Sequence, residues 1–228
     1  MDARAPMTHP DILLYDWDNT LVDAWAGVTA ALNATFDAFG LPRWTVADTI
    51  TRVRSSLRDS FPVLFGRAWT RARDIFYATL ETQHLRYLAP MPGAEHVLAA
   101  GAAEAQAVVS NKTGRFLRAE VAHLGWAHHF GAVVGAGDAS ADKPDPAPLR
   151  LALARLGADP GPGVWYIGDT ALDMQAARAA GLTAVLLGGA AHDGGIDRAA
   201  PDLHFVDAYA LADALGHTGS CACLGEGR

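Results

Sequence analysis

The chain has 228 residues, half of them apolar, and carries a formal net charge of −7. That length supports one substantial hydrophobic core, or one domain with a smaller insert. The negative charge argues against general binding to nucleic acid or acidic membrane surfaces. No apolar run approaches membrane-spanning length, residues 1–10 contain no hydrophobic signal core, and the two cysteines, Cys221 and Cys223, cannot form a disulfide framework. We therefore expect a cytoplasmic protein without a membrane partner.

The first third of the chain combines one strand with a helical segment. The apolar run Ile12–Tyr15 predicts a buried strand. Helical patterns follow over residues 23–39, 45–60 and 67–87, with breaks predicted at Gly40–Pro42 and at Phe61-Pro62 with Gly66. No strand pattern occurs in this stretch, which ends at the Pro- and Gly-rich residues 89–93. We expect an all-helical insert over residues 22–90.

Beyond residue 93 short apolar strands alternate with helices. Strands are predicted at 105–109, 132–135, 164–167 and 183–187, with an edge strand near 203–206. This alternation predicts an α/β fold: a doubly wound, Rossmann-like parallel sheet made by residues 1–21 and 91–215. The helical insert would form a cap on this core, and residues 216–228 a flexible tail.

Two carboxylates, Asp16 and Asp18, follow the first predicted strand directly. Two residues apart, they point the same way if the strand pleat continues. Ser110 and Asp169 end two later strands, and ligands of parallel sheets bind outside the carboxyl ends of the strands. One site can therefore collect Asp16, Ser110 and Asp169.

Lysine is nearly absent from this chain. Of 18 basic side chains only two are lysines, Lys112 and Lys143. Arginine's planar fork cannot replace a compact ammonium beside a carboxylate and a transferring phosphoryl group, so we expect Lys143 to be functional. For Lys112, chance survival in an arginine-rich chain is a sufficient explanation.

Four sequence blocks occur in chain order: Asp16–Thr20, Ser110–Lys112, Lys143–Pro146, and Gly168–Thr170 followed by Asp173. Together they resemble the motifs of haloacid dehalogenase superfamily phosphatases, in particular the phosphoglycolate-phosphatase-like branch with a helical cap. The resemblance covers nearly the whole chain. It implies hydrolysis of phosphomonoesters with Mg²⁺ as cofactor and a small phosphate ester as the partner, by a monomer or homodimer.

The resemblance also implies roles for the residues of these blocks. Asp16 is the expected nucleophile, Asp18 the acid and base, and Lys143 the residue that neutralises developing charge. Thr20, Ser110 and Asn111 are expected to hold the phosphate. The expected metal ligands are Asp16, the main-chain carbonyl of Asp18, Asp169 and Asp173, the last acting through water or by orienting a ligand.

Simpler explanations exist for parts of these blocks. Ser110-Asn111 alone is also typical of a helix N-cap, and Asp173 of a first-turn acid that complements the helix dipole. One residue departs from the family: Asn19 stands where most members have glycine. Because asparagine tolerates a positive φ angle, we expect the turn to survive.

The predicted cap is basic. Residues 41–90 contain eight arginines and four acidic residues. Such a lid suits a small anionic ester with a second negative group. Arg52 and Arg54 are the preferred substrate contacts because residues 51–57 resemble the loop that reads the leaving group in phosphoglycolate phosphatases, although solvated arginines are common on helices.

Several related reactions are less consistent with the residues. Dehalogenases of the superfamily lack the second aspartate, and phosphonoacetaldehyde hydrolases need a cap lysine that is missing here. A response-regulator receiver has neither the spacing of Asp16 and Asp18 nor the cap. A phosphosugar mutase, a pyrophosphatase and a non-catalytic phospho-ligand binding protein remain open. In the tail, Cys221 and Cys223 are too few for a structural zinc site, and incidental thiols are the simpler explanation.

Overall fold

The computed structural model describes residues 9–53 and 57–216. Its main element is a parallel sheet of six strands in the order β5-β4-β1-β6-β7-β8. The strands are β1 (Ile12–Tyr15), β4 (Ala105–Thr113), β5 (Ala132–Ala136), β6 (Val164–Gly168), β7 (Thr183–Leu187) and β8 (Leu203–Phe205). The predicted parallel sheet and its edge strand are confirmed.

The central strand β1 shows why the sheet is buried on both faces. Leu14 belongs to one hydrophobic cluster, whereas Leu13 and Tyr15 belong to another, because successive side chains of a strand point to opposite faces. Apolar side chains on both faces require helices on both faces.

Helices of the α/β part cover both faces of the sheet. They are α5 (Ala94–Ala100), α6 (Gly114–His123), α7 (Ala147–Leu156), α8 (Ala171–Ala180), α9 (Ile196–Ala199) and α10 (Ala208–Gly216). Helices α7, α8 and α9 contribute to the cluster that contains Leu14, and α5, α6 and α10 to the cluster that contains Leu13. This is the predicted doubly wound arrangement.

A separate helical layer lies between β1 and α5 in the chain. It consists of α1 (Trp25–Ala38), α2 (Val46–Arg52), α3 (Leu57–Phe65) and α4 (Trp69–Gln83). These helices have their own hydrophobic cluster, which includes Phe36, Phe61, Phe65 and Phe76. The boundaries 22–90 that we assign to the cap remain a prediction.

Three details differ from the sequence-based expectations. The predicted break at Phe61-Pro62 is wrong, because Pro62 lies inside α3, where the burial of Phe61 and Phe65 offsets the missing amide hydrogen. Helix 45–60 is instead divided after Arg52. Strand β4 continues past Val109 to Thr113 through an irregularity in its pairing with β5.

A further difference is a short ribbon where no strand was expected. Strands β2 (Val22–Asp23) and β3 (Ala89–Pro90) pair antiparallel. They are the chain segments that lead into and out of the helical layer. None of the helices among the described residues is both long and apolar enough to cross a membrane.

Candidate active site

The predicted site residues meet at the carboxyl end of three adjacent strands. Asp16 follows β1, Ser110 lies in β4, and Asp169 follows β6; these strands are neighbours in the sheet. A cavity of about 540 Å³ opens between this edge and the helical layer. The predicted residues that line it are Asp16, Asp18, Arg52, Ser110, Asn111, Lys143, Asp169 and Asp173.

Lys143 forms the centre of a buried polar cluster. Its Nζ atom donates hydrogen bonds of 2.7 Å to Asp16 Oδ1, 2.7 Å to Asp173 Oδ1 and 2.8 Å to the hydroxyl of Tyr166. The Tyr166 hydroxyl in turn donates to the main-chain carbonyl of Val109. All three N–H donors of the ammonium group are thereby used in hydrogen bonds, and Lys143 is fixed beside the predicted nucleophile, Asp16.

The charges of this cluster are strongly coupled. The pKa of Asp16 is raised to about 7, chiefly by burial; Lys143 acts to lower it, and the neighbouring Asp173 and Asp169 act to raise it. Burial alone would lower the pKa of Lys143, but Asp16 and Asp173 more than offset this and hold it well above its usual range. Lys143 is therefore charged at neutral pH, and a further cation near Asp16 would favour the ionised carboxylate.

Three buried carboxylates, Asp16, Asp169 and Asp173, offer oxygen atoms that all lie within 4.8 Å of one another. Thr20 is fully buried and its hydroxyl donates to Asp169 Oδ1 at 3.2 Å, while Nε2 of His192 lies 3.2 Å from Asp169 Oδ2. Three carboxylates exceed the single positive charge of Lys143, and hard oxygen donors are what Mg²⁺ requires. The residues thus fit a divalent cation.

Asp173 is oriented at the start of α8. Its Oδ2 atom accepts hydrogen bonds from the amide and the hydroxyl of Thr170, so Asp173 is a first-turn acid, as the simpler explanation has it, and it also forms a capping box with Thr170. Its Oδ1 atom accepts a hydrogen bond from Lys143, and the predicted role of Asp173 at the metal remains a prediction. A Cβ atom at Gly168 would overlap the Asp173 carboxyl group, which explains the glycine before Asp169.

The turn between Asp18 and Thr20 has the expected geometry. Asn19 adopts a φ of 61° and donates its amide hydrogen to the Val22 carbonyl at 2.7 Å. The prediction that asparagine can replace glycine at this position is confirmed.

Asn111 joins two of the sequence blocks. Its side chain donates to the carbonyl of Lys143 and accepts from the amide of Lys143, both at 2.9 Å. Ser110 Oγ accepts a 3.2 Å hydrogen bond from the Lys112 amide. The predicted binding of phosphate by Thr20, Ser110 and Asn111 remains a prediction.

A second polar cluster was missed by the sequence analysis. Lys112, whose presence chance alone could explain, makes two specific ion pairs: its Nζ lies 2.6 Å from Asp18 Oδ1 and 2.7 Å from Glu120 Oε2. Glu120 also accepts from Trp17 Nε1 at 2.6 Å and from His84 Nδ1 at 2.7 Å. The scarcity of lysine and the block Ser110–Lys112 were sequence signals for Lys112, whereas nothing local marks Glu120 or His84.

The wall that the helical layer contributes to the cavity is largely apolar. Leu64 and Tyr77 line it although 41% and 50% of their surfaces are exposed. Arg52 also lines it, with its guanidinium 3.4 Å from Asp48 Oδ1 and over the ring of Trp44. Arg54, the other predicted substrate contact, lies outside the described residues.

Comparison with known proteins agrees with this geometry. The phosphoglycolate phosphatase of Pectobacterium atrosepticum is 30% identical over 226 residues, covering 91% of this chain and 93% of that enzyme. The phosphoglycolate phosphatase of Escherichia coli K12 is 31% identical, and the match covers 89% of this chain and 91% of the Escherichia coli enzyme.

Solved structures show the same fold. A haloacid dehalogenase superfamily hydrolase from Ehrlichia chaffeensis superposes with a TM-score of 0.66 at 26% identity, covering 92% of this chain and 98% of its own. A haloacid dehalogenase-like family protein from Streptococcus pneumoniae superposes with a TM-score of 0.78 at 20% identity. The match covers 93% of this chain and 100% of the Streptococcus chain. The sequence profile of the haloacid dehalogenase-like hydrolase family matches residues 13–187. The chain therefore belongs to the haloacid dehalogenase-like hydrolases.

Proposed function

We propose that this protein is a magnesium-dependent phosphomonoester hydrolase that forms an aspartyl-phosphate on Asp16. One observation carries the proposal: Asp16 stands at the cavity end of β1, its carboxylate bound by the charged Lys143 and adjacent to two further buried carboxylates. An activated carboxylate nucleophile and a nearby fixed cation are the parts that phosphoryl transfer requires.

In the first step a carboxylate oxygen of Asp16 attacks phosphorus and the bond to the ester oxygen breaks. Asp18, protonated, delivers its proton to the departing oxygen. Lys143 balances the negative charge that develops on the phosphoryl oxygens. Ser110 and the amide of Asn111 are the proposed donors to those oxygens.

In the second step water attacks phosphorus of the aspartyl-phosphate. Asp18, now ionised, takes a proton from that water, phosphate leaves, and the Asp16 carboxylate is restored. One residue serves both steps because it gives one proton to the departing ester oxygen and then takes another from water, which returns it to its starting state.

Asp16, Asp169, the main-chain carbonyl of Asp18 and, directly or through water, Asp173 would hold the metal ion. When bound, Mg²⁺ shields the negative charge of the phosphate from the anionic nucleophile.

A phosphoglycolate-like ester, small and with a second negative group, is the proposed substrate. Two observations support it: the name and activity of the phosphoglycolate phosphatases that are 30% and 31% identical, and the excess of arginines over acidic residues in residues 41–90. Arg52 is the described cap residue suited to bind a carboxylate.

A second candidate is an ester with a larger, apolar leaving group. The exposed Leu64 and Tyr77 on the cavity wall favour it, since they offer apolar contacts and no charge. A phosphosugar mutase, a pyrophosphatase and a non-catalytic phospho-ligand binding protein are the remaining alternatives, and they are outcomes of the experiment that follows.

A screen of phosphomonoesters with Mg²⁺ tests the proposal, with wild type beside Asp16→Asn and Asp18→Asn. Wild type should release phosphate and Asp16→Asn should not. After acid quench, mass spectrometry should find phosphate on the peptide that contains Asp16, most strongly in Asp18→Asn with an aryl ester, because that variant lacks the base for the second step.

Asp197→Asn is the matched control, since this exposed aspartate lies on α9 and is not among the cavity-lining residues. It should keep wild-type activity. If wild type and Asp16→Asn are equally inert on every ester, the binding-protein alternative replaces the proposal.

A further inference from the structure

A chain of partly buried polar contacts connects helix α4 with the predicted acid and base, Asp18. It runs from His84, the residue that follows α4, to Glu120 on α6, then to Lys112, and ends at Asp18 Oδ1. The proposed reaction uses Asp18 but assigns no role to the other three residues.

Glu120 is the fixed point of this chain. It is 1% exposed, and both of its carboxylate oxygens are bound. A buried carboxylate is costly unless donors satisfy it. Here Oε2 accepts from Lys112 and from the indole of Trp17, and because a carboxylate can only accept, Nδ1 of His84 must be the donor to Oε1.

Lys112 is held from both of its ends. Its main-chain amide donates to Ser110 Oγ, and its ammonium is shared between Glu120 at 2.7 Å and Asp18 at 2.6 Å. Both contacts are short and converge on one nitrogen atom. A compact ammonium can contact two converging carboxylates, which a planar guanidinium does less well.

Trp17 ties the same network to the catalytic strand. It lies between Asp16 and Asp18 in the chain, is fully buried, and reaches Glu120 with its indole nitrogen at 2.6 Å. Glu120 therefore fixes the backbone between the two catalytic carboxylates as well as the lysine that binds one of them.

His84 makes the network depend on the helical layer. Its ring, tilted against Phe116 of α6 with the centroids 5.0 Å apart, supplies one of the three donors to Glu120. A displacement of the end of α4 would remove that donor and change how Glu120 holds Lys112.

We propose that Lys112 is a positioning residue for Asp18, that Glu120 fixes Lys112, and that His84 couples this arrangement to the position of α4. The inference rests on the proposed role of Asp18 as acid and base. Lys112 would orient the Asp18 carboxylate toward the ester oxygen without itself contacting the phosphoryl group.

Two esters of similar size separate this role from a structural one: benzyl phosphate and p-nitrophenyl phosphate. Benzyl alcohol is a poor leaving group and needs the proton from Asp18, whereas nitrophenolate leaves without it. The ratio kcat/KM covers the reaction only through formation of the phosphoenzyme, so the later role of Asp18 as base does not enter.

We expect Lys112→Met to lower kcat/KM for benzyl phosphate by about 10- to 100-fold, which is part of the usual contribution of acid catalysis. The same variant should lower kcat/KM for p-nitrophenyl phosphate by less than about threefold. Glu120→Gln, which keeps the shape and can still accept from Trp17, and His84→Leu should show the same selectivity to a smaller extent. Lys112→Arg should restore less than half of the loss, because its fork cannot hold both carboxylates.

Asp18→Asn is the reference and Arg118→Met the control; Arg118 lies on the same helix as Glu120 but pairs with the partly exposed Asp138. If Asp18→Asn impairs benzyl phosphate selectively and the Lys112 and Glu120 variants impair both esters equally, the positioning role is refuted. If Asp18→Asn itself shows no selectivity, the proposed role of Asp18 fails instead. Circular dichroism identifies a variant that does not fold. If Lys112→Met does not fold, the selectivity of the milder variants Glu120→Gln and His84→Leu tests the positioning role.

Discussion

Asp173 holds the ammonium group of Lys143: its Oδ1 atom accepts a 2.7 Å hydrogen bond from Nζ. The other oxygen of the same carboxylate is bound by the amide and hydroxyl of Thr170. The first turn of α8 thus sets the direction of the lysine that contacts the proposed nucleophile.

Replacing Asp173 by asparagine should lower kcat by about 10- to 100-fold, the usual loss when a residue that orients a catalytic or metal-binding group is changed. The amide keeps the size of the side chain but weakens its hold on Lys143. Steady-state kinetics at saturating Mg²⁺ measures the effect. Thr170→Val, which removes the hydroxyl and keeps the backbone hydrogen bond, should cost less; an unchanged kcat in Asp173→Asn would contradict this account.

Gly168→Ala should destabilise the protein by about 1–3 kcal/mol, the usual cost of overpacking, because the new Cβ would overlap the Asp173 carboxyl group. Chemical denaturation measures the free energy of unfolding. Gly161→Ala is the matched control, since a Cβ there meets no atom within 4 Å. Equal stability of the two variants would show that Asp173 can move away without cost.

Without metal, the protein should lose stability as the pH rises from about 4 to about 7. The pKa of Asp16 is about 7 in the folded state against 3.8 for the ordinary group. In that window the folded state binds a proton that the unfolded state has released, so the free energy of unfolding falls as the pH increases. For one group this free energy falls by at most about 1.4 kcal/mol per pH unit. Denaturation in EDTA at pH 5 and pH 7 measures it.

Asp16→Asn is the comparison for this pH effect. The raised pKa of Asp169 acts in the same direction in wild type, so the difference between the pH dependences of the two proteins measures Asp16 together with its interaction with Asp169. Saturating Mg²⁺ should flatten the dependence in wild type, because the ion favours the ionised carboxylate. A wild-type stability that rises between pH 5 and pH 7 in EDTA is the opposite of what we expect.

Arg52→Met should raise KM for phosphoglycolate by about 5- to 30-fold, as expected when a charged hydrogen bond of about 1–2 kcal/mol is lost. KM for phenyl phosphate, which has no carboxylate, should change little. Arg43→Met provides the control, because this arginine of the same helical layer pairs with the exposed Asp37 and is not among the cavity-lining residues. Equal changes in KM for both esters would assign Arg52 a role in packing on Trp44.

The sheet was predictable from the sequence because short apolar runs alternate with helical patterns, and each run ends at a polar residue. Asp16, Ser110 and Asp169 are marked by such strand ends, so their convergence followed from the parallel topology alone. The φ angle of Asn19 was predictable for a similar local reason, since few residues tolerate that conformation.

The network around Glu120 was not predictable, because its members are brought together by long-range packing. Glu120 lies on an ordinary helix, 103 residues from Trp17 and 36 from His84 in the chain. Pro62 shows a related limit: the local rule predicts a break, but the aromatic cluster of Phe61 and Phe65 keeps the helix intact. In both cases tertiary contacts outweigh local preference.

The ribbon of β2 and β3 has a consequence for how this chain could be altered or could have arisen. Val22 pairs with Pro90 and Asp23 with Ala89, so the ends of the whole 65-residue segment between Asp23 and Ala89 lie side by side. A tight hairpin turn would be enough to join them. We therefore expect that a segment of different length or sequence can replace the helical layer without changing the path of the chain into and out of the sheet.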